Sequence, residues 1–257
     1  MKNNKLLIFT IVCLLSICFS MVACGDQAES DSETAVVETE TQSIETEPSS
    51  ETEAELADPT LLYMGHASLR IMTGEDKVIY IDPYAGDDYD LPADLILVTH
   101  DHYDHNALDL IKNRNDDCAV ITQVEALEDG SFDLGYVSVE VVEAGNNKYH
   151  STSECVGYVL TFNNGKKVYV SGDTSKTDQM AELCDQKIDY AFFCCDGVYN
   201  MDLDEAAECA KLVQAKHNIP YHIVEADDPE HFDMDRAEKF SVQNKLIIRP
   251  GEEITIK

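Results

Sequence analysis

The apolar run Leu95-Ile96-Leu97-Val98 leads, through Thr99, into His100-Asp101-His102-Tyr103-Asp104-His105. A run of this kind reads as a buried strand, and its end delivers three imidazoles and two carboxylates to one loop. The chain has only eight histidines, so three in one hexapeptide is a concentration that needs a use. His100 and His102 alternate with Asp101, which points both rings the same way while the chain is extended. Asp104 and His105 follow once the chain turns, and they reach a second position beside the first. Imidazoles for two divalent ions, with carboxylates, are what a hydrolytic two-metal site requires. The plain alternative is a solvated polar turn that happens to be rich in histidine.

At the front of the chain, Lys2 and Lys5 precede an apolar stretch from Leu6 to Ala23 that stops at Cys24-Gly25-Asp26. A positive start, an apolar middle and small residues at the end describe a secretion signal over residues 1–23. Met21-Val22-Ala23-Cys24 resembles a bacterial lipobox, in which Cys24 would be lipidated and become the mature N-terminus; Leu is usual where Met21 stands. An uncleaved anchor is the alternative, since 18 apolar residues lie near the lower limit for a spanning helix. Either reading puts the rest of the chain on the outer face of the cytoplasmic membrane, held there by its anchor alone. Residues 24–57 then form a tether with eleven Asp or Glu, no Lys or Arg and no aromatic residue. Such a segment buries too little apolar surface to offset its ordering entropy, so a disordered spacer is expected.

Residues 58–257 are long enough for one domain with a substantial core. Of the formal charge of −32, the first 23 residues carry +2 and the tether −11, which leaves −23 on the domain. A surface this acidic repels polyanions and anionic headgroups, which excludes nucleic acid as a partner and favours a small, neutral or modestly charged molecule. Six cysteines fall in the domain, at 118, 155, 184, 194, 195 and 209. Export and an even count invite a disulfide reading, but Cys194 and Cys195 are adjacent and face opposite sides of a strand. The others occupy apolar positions where a thiol acts as a small hydrophobe. No CxxC pair exists for a zinc ribbon.

Short β-type runs at Thr60–Met64, Ser68–Met72 and Lys77–Ile81, split by turn residues, predict an antiparallel meander. Further strands are expected at Leu95–Val98, Ala119–Thr122, Tyr136–Val142, Val156–Phe162 and Lys167–Val170, the last two as a hairpin around Asn163-Asn164-Gly165. Asn106 is expected to cap a helix through Lys112. Beyond Gly172-Asp173-Thr174 the period changes. Helices are expected at Ser175–Leu183, at Asp204–Ala215 with Asp204 as cap, and at Met234–Ser241. A strand is expected at Tyr190–Cys195, a short one ending at Pro220-Tyr221-His222, and two flanking Pro250-Gly251. Strand-rich halves, each closed by helices, suggest two sheets packed face to face with helices outside, an α/β arrangement.

His100-Asp101-His102-Tyr103-Asp104-His105 matches the HxHxDH signature of the metallo-β-lactamase superfamily, and the resemblance runs over about residues 60–257. A later lone histidine (His150) before a Gly-containing strand, a Gly-Asp-Thr after another strand, and Pro220-Tyr221-His222 follow in the family's order. The resemblance implies an αβ/βα four-layer sandwich of two mixed sheets with outer helices. It also implies that His100, His102 and His150 hold a first ion, and Asp104, His105 and His222 a second, with Asp173 bridging. Imidazole and carboxylate suit Zn²⁺ first, and also Mn²⁺ or Fe²⁺. Water between such ions loses a proton near neutral pH, and the resulting bridged hydroxide would be the nucleophile, with Asp104 accepting or orienting a proton. Gly65-His66-Ala67-Ser68 and Ile81-Asp82-Pro83-Tyr84 resemble stretches of the L-ascorbate-6-phosphate lactonase-like subgroup. There His66 and Asp82 would support the ligands from behind, with Asp82 a candidate acceptor for an imidazole N–H. Tyr199 and Asn200, in Asp196-Gly197-Val198-Tyr199-Asn200-Met201, resemble the subgroup's substrate-side loop. His217 is expected to serve at a helix end and His231 to lie on the surface.

The expected function is therefore a lipid-anchored, metal-dependent hydrolase of a small ester, lactone or phosphoester outside the cytoplasmic membrane. β-Lactam hydrolysis is the alternative within the superfamily. From another class, the rival is a non-catalytic, metal-containing binding lipoprotein.

Overall fold

The computed structural model describes residues 56–225 and 231–257. The expected signal, Cys24 and all of the tether except Leu56 and Ala57 lie outside the described residues. Among the described residues no helix is long and apolar enough to cross a membrane.

Three strands, β1 (Thr60–Gly65), β2 (Ser68–Met72) and β3 (Val78–Ile81), form the expected antiparallel meander. β4 (Ala93–Leu97) and β5 (Arg114–Ile121) add to it in parallel, and β12 (Glu253–Thr255) closes the other edge. The second sheet repeats this plan. β6 (Ser131–Asp133), β7 (Val137–Glu143), β8 (Val156–Phe162) and β9 (Lys167–Val170) run antiparallel, and β10 (Tyr190–Cys194) and β11 (His217–Tyr221) follow in parallel. The orders are β12-β1-β2-β3-β4-β5 and β11-β10-β9-β8-β7-β6, so both sheets are mixed.

Alternation explains the layers. Leu61, Tyr63, Ile79, Ile81, Leu95 and Leu97 belong to the large core shared with the second sheet, whereas Leu62, Met64, Val78, Tyr80 and Ile96 belong to a separate cluster on the opposite face. Each fully buried large side chain contributes roughly 2 kcal/mol. The outer face of the second sheet is covered by helix α2 (Leu203–Val213), whose Ala206, Cys209, Ala210 and Val213 are buried. Over the first sheet the cover is thinner: Tyr89, Leu91, Leu108 and Ile111 come from loops and a single 3-10 turn. Helix α1 (Gln123–Asp129) and helix α3 (Met234–Lys239) complete the described helices. The six described cysteines are free.

Several elements differ from expectation, each for a local reason. Asn106 caps no helix: its side chain donates to Asp101 Oδ1 (2.8 Å), and only Leu108–Leu110 makes a 3-10 turn. No helix starts at Ser175, because Ser175 N–H donates to Gly145 O (2.7 Å) and Lys176 N–H to Glu205 Oε1 (2.9 Å). The chain instead forms 3-10 turns over Gln179–Gln186. The cap of α2 is Asp202 rather than Asp204, with Oδ1 accepting from the amides of Asp204 (3.0 Å) and Glu205 (2.9 Å). His217 opens β11 and stacks on Tyr190 (4.6 Å) instead of ending a helix. Before Pro250 there is only an isolated bridge from Lys245 to Asn218, not a strand. α1 was not anticipated, although Thr122-Gln123-Val124-Glu125 carries the capping-box pattern that the structure uses.

At one end of the sandwich the two sheets are tied by side chains. Asn163 Nδ2 donates to Glu75 Oε1 (2.8 Å), Asn164 Nδ2 to Asp58 Oδ1 (3.1 Å), and Tyr190 Oη to Thr255 O (3.4 Å). The other end, where the parallel strands finish, carries the histidines.

Candidate metal centre

The hexapeptide begins three residues beyond β4. His100 and His102 lie on the same side, their rings 4.5 Å apart, although the chain there is bent rather than extended. The turn that redirects Asp104 and His105 is closed by His105 N–H and Asn106 N–H donating to His102 O (3.0 and 3.1 Å). His150 leaves the β7–β8 loop, fixed by Asn147 Oδ1, which accepts from the amides of Tyr149 (2.8 Å) and His150 (2.9 Å). Asp173 follows β9 through Gly172, whose φ of +61° and contact with Val156 O leave no room for a Cβ. His222 follows β11.

The fold brings all seven expected ligands together. His100, His102 and His150 form one group of candidate ligand atoms within 4.8 Å of one another; Asp104, His105 and His222 form another, together with His66. Asp173 stands between them: Oδ1 is 3.4 Å from His105 Nε2, and Oδ2 is 3.6 Å from His150 Nε2 and 3.4 Å from His222 Nε2. His66 is nearer than expected for a residue behind the ligands. Its Nε2–H donates to Asp104 Oδ2 (3.1 Å), and its ring lies 3.7 Å from that of His222.

Asp82 reaches both groups. Its Oδ1 accepts from Thr99 N–H (2.7 Å); its Oδ2 accepts from Thr99 Oγ1 (2.8 Å) and from His105 Nδ1–H (2.9 Å). With its proton on Asp82, the Thr99 hydroxyl accepts from His100 Nδ1–H (3.1 Å). One carboxylate thus sets the tautomer of an imidazole in each group and turns both Nε2 lone pairs toward the centre. Thr99 was not anticipated, because its part depends on a partner 17 residues away.

Tyr199 lines a cavity of ≈ 420 Å³ together with His102, Asp104, His150, Asp173 and His222. Asn200 does not line it; the structure sets it against Asp173, with Nδ2 donating to Oδ2 (2.8 Å), a positioning contact instead of the expected substrate contact. Asp196 holds their loop, its Oδ1 accepting from the amides of Val198 (2.8 Å) and Tyr199 (2.7 Å), while its Oδ2 lies 3.9 Å from His222 Nδ1. His231 lies outside this centre.

The electrostatics suit cations. Burial disfavours charge on His105 and His222, but the carboxylate of Asp173, joined at His105 by Asp82, outweighs it and raises both pKa values. Burial alone would raise Asp173, yet His222 and His105 hold it well below the usual carboxylate range. Burial lowers His100 and His150, and with His222 alongside takes His66 down to about 4. Imidazoles lowered in this way are neutral at pH 7 and offer a lone pair; at His105 and His222 a cation binds by displacing a proton. His105 Nε2, His222 Nε2 and Asp173 Oδ1 are buried with no hydrogen-bond partner, a cost that coordination would remove. The residues fit a pair of divalent ions.

A sequence profile of the Beta-lactamase superfamily domain matches residues 60–222. A "UPF0173 metal-dependent hydrolase" of Nitratidesulfovibrio vulgaris is 32% identical over 192 residues, covering 63% of this chain and 79% of the relative. Among solved structures, a candidate metal-dependent hydrolase of Parabacteroides distasonis is similar at 29% identity and a TM-score of 0.62, covering 76% of this chain and 94% of that one. The metallo-beta-lactamase fold protein YhfI of Bacillus subtilis, 15% identical with a TM-score of 0.61 over 77% of this chain and 99% of its own, shares the fold. With the histidine-rich loop, the two mixed sheets and the converging ligands in place, the chain belongs to the beta-lactamase superfamily, among the UPF0173 metal-dependent hydrolases.

Proposed function

We propose that this protein is a hydrolase that uses two divalent ions, zinc foremost, to cleave a small ester, lactone or phosphoester. The observation that carries this reading is the convergence of seven ligand-type side chains, among which His105 Nε2, His222 Nε2 and Asp173 Oδ1 are buried without a hydrogen-bond partner. His100, His102 and His150 would hold one ion and Asp104, His105 and His222 the other, with Asp173 between them. When bound, such ions acidify water and polarise a carbonyl or phosphoryl oxygen.

The chain's own groups do the rest. Asp82, through Thr99 and His105, keeps two imidazoles in the tautomer that binds. Asn200 fixes the Asp173 carboxylate. Asp104 lines the cavity and is held through Oδ2 by His66, which fixes its carboxylate in an orientation for the second ion and its water. The lactonase-like stretches around His66 and Asp82 support the metal ligands, and we take that likeness as one of scaffold, not of substrate.

We further propose that the protein is exported and anchored through lipid on Cys24, on the strength of the apolar run ending in Met21-Val22-Ala23-Cys24. The full chain should carry about two metal ions and turn over simple esters, lactones or bis-aryl phosphates. His102→Ala should reduce turnover by more than about 100-fold, beyond the cost of a lost supporting contact. Saturable binding of such compounds without turnover would replace this reading by a binding protein. Partition into detergent that persists in Cys24→Ser would remove the lipid anchor.

A further inference from the structure

The surroundings of the centre narrow its substrate. A second hollow of ≈ 390 Å³ lies beside the ≈ 420 Å³ cavity, and His102, Tyr149 and His150 wall both. Together they make a cleft that runs past the centre on two sides. Five of the eight exposed large apolar side chains among the described residues line it: Tyr103 (67% exposed), Tyr149 (43%) and Tyr199 (41%) on one side, Val124 and Leu127 on the other. Exposed apolar groups gathered at one cleft, rather than scattered, mark a surface that meets an apolar ligand. Tyr149 and Tyr199 meet edge to face at 4.9 Å and present a firm aromatic wall.

The charges in the cleft point the same way. Beyond the proposed ligands, Glu225 lines the first hollow, and Asp101 and Glu154 the second; no Lys or Arg lines either among the described residues. Lys148, which lines neither hollow, lies over the ring of Tyr149, 4.4 Å from its centroid. Two divalent ions would bring four positive charges, met by Asp82, Asp104, Asp173 and a bound hydroxide, so that Glu225, Asp101 and Glu154 set the sign of the charge left in the cleft.

We propose that the site takes an uncharged or cationic carboxylic ester or lactone bearing an aromatic or similarly flat ring, seated against the Tyr149–Tyr199 pair. This rests on the hydrolase reading above and deepens it. Hydrolysis adds water across the acyl C–O bond: the water oxygen stays on the acyl carbon, the leaving oxygen takes one proton, and the new acid releases another. The carboxylate product is then repelled by the same walls that admitted its ester, which favours its departure. A cationic ring substituent gains from the tyrosine faces as well as from Glu225.

The test compares zinc-loaded full chain on phenyl acetate, a trimethylammonio-phenyl acetate and a sulfonatophenyl acetate, each kcat/KM divided by the uncatalysed rate in the same buffer. The neutral and cationic esters should lead the anionic one by about 10-fold or more, a gap that narrows in salt and in Glu225→Gln. Tyr199→Ala should raise KM for the aryl esters by roughly 3–10-fold, and Tyr199→Phe should restore it. Equal turnover of the anionic ester, or aryl KM values indifferent to Tyr199→Ala, overturns the substrate class and leaves the hydrolase standing. No turnover of any ester, lactone or phosphate by metal-loaded protein removes both.

Discussion

Asp82 sits at φ +46°, a left-handed conformation in which a residue with a Cβ is strained by about 1–3 kcal/mol. His66 (φ +49°) and His222 (φ +44°) share it, so three of the eight described non-glycine residues of this kind belong to one centre. The strain at Asp82 is offset by its three accepted bonds, which orient one imidazole for each ion. Asp82→Ala should lower metal affinity by about 10–100-fold and cost roughly 2–4 kcal/mol in denaturant unfolding, by leaving Thr99 and His105 unpaired. Asp82→Gly relieves the backbone yet should lose affinity just as far; if metal titration showed it binding like the parent, the tautomer argument would be wrong. At this scale the sequence revealed the side chains that converge, because four crowd into one loop, His150 precedes β8, and Asp173 and His222 follow β9 and β11. It did not reveal Thr99 or the true place of Asn200. Those roles follow from contacts between loops distant in the chain, which spacing along one strand cannot carry.

Among the elements, helix starts were the hardest to read, and α2 shows why. Asp202 and Asp204 are chemically alike, and both precede the apolar face. Only Asp202 has extended backbone (φ −77°, ψ 175°) with its carboxylate on the two orphan amides that follow. Asp202→Ala should therefore cost about 1 kcal/mol of unfolding free energy, whereas Asp204→Ala, which removes only an acidic residue from the first turn, should cost no more than about 0.5 kcal/mol. The reverse order in urea unfolding would restore Asp204 as the cap. At Ser175 the apolar spacing was helical, but the amides that would begin the helix are claimed by Gly145 and Glu205. Strands fared better. β2, β8 and β9 keep the bounds their alternation predicts, since a buried sheet face tolerates no slip of register.

For the whole molecule, the proposed ligands divide between the sheets: His100, His102, Asp104 and His105 extend from β4, while His150, Asp173 and His222 come from loops of the second sheet. Metal binding is then coupled to the stability of the whole domain. Zinc at about 100 times its Kd should add roughly 2.7 kcal/mol to unfolding, and a chelator should remove it; a midpoint in denaturant that ignores both would show that the folded domain does not hold the ions. The opposite end needs no cation, being tied by Asn163, Asn164 and Tyr190. Ions held between the two sheets would fasten the margin that the side-chain bonds at the far end do not reach. That margin is also the doorway, since His102, Asp104, His150, Asp173 and His222 wall the cavity, so the grip on the cations and the shape of the entrance belong to the same side chains.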